Sequence, residues 1–128
     1  MKEVKAFIHK HRISAVIEVL KAADIALTGH SGGMRNINVA AVQSLLTAVY
    51  TREQRYSMDL AEPVIEEYKL ELLCEDAEAV RLAKVVAMAG RTGQGEAGWV
   101  YVTTVESAMQ IGSEVFSSIQ AAGFSEGT

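Results

Sequence analysis

The order in which the hydrophobic periodicity changes along this chain constrains its fold more than any other feature. Apolar and polar residues alternate, as in β-strands, over residues 4–9, 36–41, 68–74 and 99–103. Apolar residues recur three and four apart, as in amphipathic helices, over residues 13–23 and 76–89. This order predicts an α+β, ferredoxin-like βαββαβ domain, an antiparallel sheet with two helices on one face.

Local signals also predict where the second helix begins and ends. Asp76 is a reasonable N-cap, because its side chain can accept a hydrogen bond from the backbone of the first turn. Gly90 follows the last apolar position and is expected to stop the helix. Cys74, on the apolar face of the preceding strand, is expected to be a small buried hydrophobic residue.

A long segment, 43–62, separates the second predicted strand from the third. Its polar, aperiodic centre predicts an exposed loop, which we expect Pro63 to end. At its start, helical spacing favours a helix or helical turn for Val42, Leu45, Leu46 and Val49. The loop also carries tyrosines and arginines of the kind enriched at interfaces, Tyr50, Arg52, Arg55 and Tyr56. These four residues are the candidates for docking onto a partner.

The composition excludes several classes of protein. A chain of 128 residues with 49% hydrophobic residues can bury its own core, so general disorder is excluded. A net charge of −4 argues against a broad basic surface for nucleic acid and predicts no nucleic-acid partner. With one cysteine the chain forms no internal disulfide, which fits a reducing cytoplasm. The sequence shows neither a signal peptide nor an apolar run long enough to span a membrane.

We expect one domain, 1–112, followed by a C-terminal extension, 113–128. The extension has apolar residues at helical spacing and predicts a short amphipathic helix. The sheet face away from the two helices would carry Phe7, Trp99 and Tyr101. An exposed apolar face of this kind usually meets a partner, so we expect homo-oligomerisation. The alternative is that the C-terminal helix covers this face.

The glycine-rich segment 93–98 matches the pattern G-x-G-x-x-G without its usual context. A dinucleotide-binding fingerprint follows a strand and opens a helix, whereas here a helix precedes the segment and a strand follows it. Its backbone N–H groups could still bind an anion or an adenine. The alternative is a flexible connector without a ligand.

Other chemically capable residues form no recognisable catalytic pattern. His9 and His11 lie two apart at a strand end, where both imidazoles could reach one metal ion or could simply be surface residues. The chain contains no serine–histidine–aspartate signature, phosphate-binding P-loop or zinc motif. We therefore expect a protein that is not an enzyme, with no catalytic residues and no required cofactor.

The chain resembles the PII signal-transduction family, the nitrogen regulatory protein P-II family, over residues 1–112. The resemblance is best over residues 1–20, 69–72 and 91–102. Family members are trimers of ferredoxin-like subunits, whose sheets face the trimer centre. They bind adenine nucleotides between subunits and dock onto transporters or enzymes through a long T-loop. The resemblance implies that 43–62 is this T-loop.

The resemblance also implies which residues bind a ligand. Thr92, Gly93 and Gly98 match the family's nucleotide-binding B-loop. Trp99 stands where the family has a phosphate-binding lysine, so part of the charge that would compensate a triphosphate is lost. Arg91 and Gln94 could replace some of it, and we include them among the ligand-binding candidates.

The function that the resemblance implies is signal transduction and regulation of transport. We expect a cytoplasmic trimer that binds AMP, ADP or ATP and is recruited to the inner face of the membrane by a transporter. Divergent PII-like branches accompany heavy-metal efflux pumps or serve bicarbonate uptake, and both remain open as partners. The alternative is a metal-binding or structural trimer similar to the copper-tolerance CutA proteins, with His9 and His11 as ligands.

Overall fold

The computed structural model describes residues 1–28, 35–45, 54–93, 98–109 and 111–112. Within these residues the chain forms five strands and two helices in an α+β arrangement. The elements in chain order are β1 (Lys2–His9), α1 (Ile13–Thr28), β2 (Arg35–Ser44), β3 (Arg55–Ser57), β4 (Glu62–Cys74), α2 (Asp76–Ala89) and β5 (Trp99–Thr104). Neither described helix is long and apolar enough to cross a membrane.

The strands form an antiparallel sheet in the order β2-β4-β1-β5, and the short β3 pairs with the beginning of β4. The central pair of β1 and β4 runs in register from Lys2 opposite Cys74 to His9 opposite Glu67. β5 pairs with the other edge of β1. This order of the four long strands is compatible with the predicted ferredoxin-like fold.

The hydrophobic core lies between one face of the sheet and the two helices. Alternate residues of β1 and β4 point to this face because side chains in a strand alternate between the two sides of a sheet. The buried cluster includes Val4, Ala6, Ile8, Leu70, Leu72 and Cys74 from the sheet and Val16, Leu20, Leu82 and Val86 from the helices. The predicted placement of both helices on one face is confirmed.

The bounds of α2 agree with the prediction, but its N-cap differs by one residue. Glu75 is the N-cap and makes no capping hydrogen bond through its side chain, and Asp76 is the first helical residue. The Asp76 carboxylate instead pairs with the N-terminal amine of Met1 at 2.6 Å. At the other end Gly90 is the C-cap, as predicted, and its N–H donates to the Val86 carbonyl at 2.9 Å.

The expectation of helical structure at Val42 and of a loop ended by Pro63 is wrong. Val42 lies in β2 opposite Glu67, because pairing along β4 outweighs the local helical spacing. Pro63 is the second residue of β4, opposite Tyr56 of β3. A proline is tolerated close to the start of a strand, where few ladder hydrogen bonds are lost. Strands therefore occupy both ends of segment 43–62, and residues 46–53 lie outside the described part of the chain.

The sheet face away from the helices combines ion pairs with exposed aromatic rings. Lys5 Nζ lies 3.1 Å from Glu71 Oε2, and this hydrogen bond raises the pKa of Lys5. Trp99 and Tyr101, at the β5 edge, are 71% and 41% exposed, whereas Phe7 is partly buried. The predicted C-terminal helix, 113–128, lies outside the described residues, so its covering of this face stays a prediction.

Candidate functional site

A cavity of about 370 Å³ opens where α2 ends and β5 begins. Its lining contains four of the five residues predicted to bind a ligand, Arg91, Thr92, Gly93 and Gly98. The fifth, Gln94, lies outside the described residues. The volume is within the range of about 300–1,000 Å³ that small-molecule sites have. This cavity is therefore the candidate functional site.

The described residues that line the cavity are mostly apolar and carry a single charge. Ile8 and Val100 come from the sheet, and Val86 and Ala87 come from the last turn of α2. Arg91 is the one ionisable residue among the described residues that line it, and its side chain is exposed. An apolar lining with one cation suits a ligand with an apolar body and an anionic group.

Two glycines shape the rim of the cavity. Gly93 and Gly98 have φ angles of 92° and 83°, in the left-handed region that side chains rarely adopt. A Cβ atom on Gly98 would also lie 2.9 Å from the carbonyl oxygen of Phe7, whereas a Cβ on Gly93 would meet nothing within 4 Å. Gly98 thus lets the chain approach β1 closely and places Trp99 at the start of β5, on the lining of the cavity.

Arg12 supports the α2 end of the site from outside the cavity. Its Nε and Nη2 atoms donate hydrogen bonds of 3.0 Å and 2.7 Å to the carbonyl oxygen of Ala89. The C-terminal end of a helix carries partial negative charge, and α2 has no basic residue in its last turn. The Arg12 guanidinium therefore offsets this charge beside the cavity. No local sequence pattern indicates this role of Arg12, because Arg12 and Ala89 lie 77 positions apart in the chain.

A second cavity, of about 450 Å³, lies between the end of β2, the first residue of β3, the middle of β4 and Lys10, which follows β1. Within its lining, Glu66 accepts a 3.0 Å hydrogen bond from Arg55 Nε and lies 4.0 Å from Lys10 Nζ. These side chains are nearly half exposed, so each pair contributes roughly 0–1 kcal/mol to stability. The cluster joins β3 to β4 at the base of segment 46–53.

The residues predicted to dock onto a partner are only partly described. Arg55 and Tyr56 lie in β3, where Arg55 is engaged by Glu66 and the Tyr56 side chain is 58% exposed. Tyr50 and Arg52 lie outside the described residues. Among the described residues of this set, Arg55 is therefore paired and Tyr56 presents an exposed ring, and docking itself stays a prediction.

The two histidines at the end of β1 contact each other. The backbone N–H of His11 donates to Nδ1 of His9 at 3.0 Å, and the two ring centroids are 4.9 Å apart. His9 is buried, whereas His11 is exposed. Within the described residues, no three histidine, cysteine, aspartate or glutamate side chains are grouped to hold a metal ion. The His9 nitrogen engaged by the backbone is not free to take one.

Cys74 is buried in the core, as predicted, and burial raises the pKa of its thiol. A raised pKa keeps the thiol protonated at neutral pH, and the thiolate is the reactive form. Cys74 therefore packs as a small apolar residue.

The chain matches no protein-family model and no curated protein at a significant level.

Proposed function

We propose that this protein is a trimeric PII-like regulator, which binds an adenine nucleotide and controls a membrane transporter. The observation that carries the proposal is the cavity between α2 and β5. It contains the residues that resemble the family's B-loop, Thr92, Gly93 and Gly98, together with Arg91. A glycine-rich turn offers backbone N–H groups to an anion, and Arg91 adds a charged donor.

The fold supports the trimeric part of the proposal. The strand order is compatible with a ferredoxin-like subunit, and the exposed aromatic rings of Trp99 and Tyr101 stand on the sheet face without helices. Burying apolar surface contributes roughly 25 cal/mol per Å², so covering these rings in a trimer favours association. A subunit contact there also places a neighbouring chain beside the cavity, since Trp99 belongs to both surfaces.

Transport regulation is assigned to the segment between β2 and β4. Its base is held by the Arg55–Glu66 ion pair, and Tyr56 is exposed next to it. A nucleotide can change the conformation of this segment only by its differential affinity for the two states. The partner we propose is an efflux pump or a bicarbonate transporter, met by the protein on the cytoplasmic side of the membrane.

Calorimetric titration with AMP, ADP and ATP, combined with sedimentation equilibrium, tests the first part of the proposal. We expect saturable binding close to one site per chain and a sedimenting mass of three chains. A folded trimer that binds none of the three nucleotides would contradict the proposed input. A monomer at micromolar concentration would contradict the proposed assembly.

A loop replacement tests the second part. Exchanging residues 46–53 for a short glycine–serine linker leaves β2, β3 and the Arg55–Glu66 pair in place. We expect the variant to remain trimeric and to bind nucleotide, and to lose co-purification with the transporter. Tyr56→Ala should weaken the same interaction, with Tyr56→Phe as the matched control that keeps the ring. Retention of the transporter by the linker variant would refute the assignment.

A further inference from the structure

We propose that the outer face of α2 is a docking surface, and that it binds the C-terminal extension of the same chain, 113–128. The inference does not rest on the proposed function, because neither a nucleotide nor a transporter takes part in this contact. It assigns an occupant to a helix face that is exposed in the described part of the chain.

The outer face of α2 carries apolar side chains where a solvent-facing helix normally carries polar ones. Val80 and Met88 are 62% and 68% exposed, on the side of the helix opposite the buried Leu82 and Val86. Together with the exposed Lys84 they stand four residues apart, so they are neighbours along one row of the helix surface. These three residues, Val80, Lys84 and Met88, form the α2 stripe.

The spacing of the exposed residues fits a second helix better than a flat surface such as a membrane. Ala77, Val80, Lys84 and Ala87 are all exposed and follow one another at intervals of three, four and three residues. This is the spacing of the seam between two packed helices, where the side chains of one helix enter the spaces of the other. A lysine is accommodated in such a seam because its methylene chain is apolar while its amine reaches water.

The path of the chain brings the C-terminal extension to this face. The N–H of Val105, the residue after β5, donates to the Met1 carbonyl oxygen at 3.1 Å. The amine of Met1 lies 2.6 Å from the carboxylate of Asp76, the first residue of α2. β5 thus ends beside the start of α2, which at 14 residues is about 21 Å long. Residues 106–112 span up to about 25 Å, so the extension starts within reach of the α2 stripe.

The extension has the chemistry that the outer face of α2 requires. Its apolar residues recur at helical spacing, at Val115, Phe116, Ile119 and Ala122. It carries two glutamates, Glu114 and Glu126, and no lysine or arginine. The exposed charged side chains of α2 between residues 77 and 88 are Arg81 and Lys84. Burial of the two apolar surfaces therefore favours docking, and the opposite charges assist it.

Docking on α2 has a consequence for both surfaces described above. Ala87 is exposed on the outer face of α2 and also lines the cavity between α2 and β5, so a docked extension borders the candidate site. The sheet face that carries Trp99 and Tyr101 stays available for the proposed contact between subunits.

Disulfide trapping in the 128-residue chain tests where the extension lies. One variant carries Val80→Cys with Ile119→Cys, and the comparison variant carries Tyr101→Cys, on the sheet face, with Ile119→Cys. Cys74 is buried, so the two introduced thiols react first in the folded protein. Tyr101 lies nearer to Ile119 along the chain than Val80 does, so an undocked extension would close the Tyr101 pair faster. We expect the Val80 pair to close about tenfold faster instead, the ratio for a docked form favoured by about 1.4 kcal/mol.

A second measurement needs no introduced thiol. Ile119→Asp should move the amide resonances of Val80, Lys84 and Met88 in NMR spectra, because a buried charge opposes docking. Ser118→Asp is the matched control, since it adds the same charge outside the apolar set and should leave these resonances in place. Circular dichroism checks that both variants keep the wild-type fold.

Three results would overturn the inference. A Tyr101 pair that closes as fast as the Val80 pair, or faster, would show that the extension does not prefer α2. A Val80 pair that closes between two chains, seen as a dimer on a non-reducing gel, would refute docking within one chain. Equal effects of Ile119→Asp and Ser118→Asp on the α2 resonances would refute the apolar contact. Since no nucleotide enters these experiments, their failure is distinguishable from failure of the proposed function.

Discussion

Substituting the two glycines on the rim of the cavity separates backbone strain from steric contact. Gly93 and Gly98 have similar positive φ angles, 92° and 83°. Only Gly98 lies so close to β1 that an added Cβ would be 2.9 Å from the Phe7 carbonyl oxygen. Gly93→Ala is therefore a matched control for Gly98→Ala.

The expected magnitudes differ by the cost of that contact. A non-glycine residue in the left-handed region costs about 1–2 kcal/mol, and both variants carry this term. Forcing a methyl group against packed backbone costs about 1–3 kcal/mol more. Gly98→Ala should thus lower the free energy of unfolding by about 2–5 kcal/mol, against about 1–2 kcal/mol for Gly93→Ala.

Urea denaturation followed by circular dichroism measures both changes, and calorimetric melting checks them. In a domain of this size each kcal/mol lowers Tm by about 4 °C, so Gly98→Ala should melt about 8–20 °C lower than the wild type. The control should melt about 4–8 °C lower. Equal destabilisation by the two substitutions would refute the role assigned to the close approach of Gly98 to β1.

Three further predictions follow from the fold. Arg12→Gln should lower the free energy of unfolding, measured in urea, by about 1.5–3 kcal/mol, because it removes a charged donor from the Ala89 carbonyl. Arg12→Lys, which keeps a charged donor, should lose less. An unchanged free energy of unfolding in Arg12→Gln would contradict the role given to this hydrogen bond. Cys74 should react with a thiol reagent far more slowly in the native state than in urea, because burial raises the pKa of its thiol; fast native labelling would count against that burial. The hydrogen bond with Glu71 raises the pKa of Lys5 above 10.5, so the contribution of this pair to stability should be full below pH 10.5 and should disappear as the pH rises through the raised pKa. The difference in free energy of unfolding between the wild type and Lys5→Gln should therefore become smaller above pH 10.5. A difference that does not change with pH would argue against the Lys5–Glu71 pair.

The long alternating and helical stretches could be predicted from the sequence because each buries one face. The alternating residues Leu70, Leu72 and Cys74 of β4 do face the core, and α2 ends at the predicted residue. In these elements local periodicity and tertiary packing favour the same structure, so a single amino-acid sequence is enough to predict the strand and the helix.

Where local and long-range preferences conflict, the secondary structure predicted from the sequence is wrong. Val42 shares a helical spacing with later apolar residues but pairs with Glu67 in the sheet, and Pro63 is the second residue of a strand rather than the end of a loop. The glycine-rich rim of the cavity was recognisable by composition and resemblance. The support that Arg12 gives to the end of α2 was not, because it depends on a contact formed only in the folded chain.

The most direct test of the central claim, that the cavity between α2 and β5 is the nucleotide site, is amide chemical-shift mapping by NMR with AMP. We expect saturable shifts centred on Arg91, Thr92, Gly93, Gly98 and Trp99. Shifts centred instead on the Arg55–Glu66 cavity, or none at millimolar AMP in a folded protein, would contradict it.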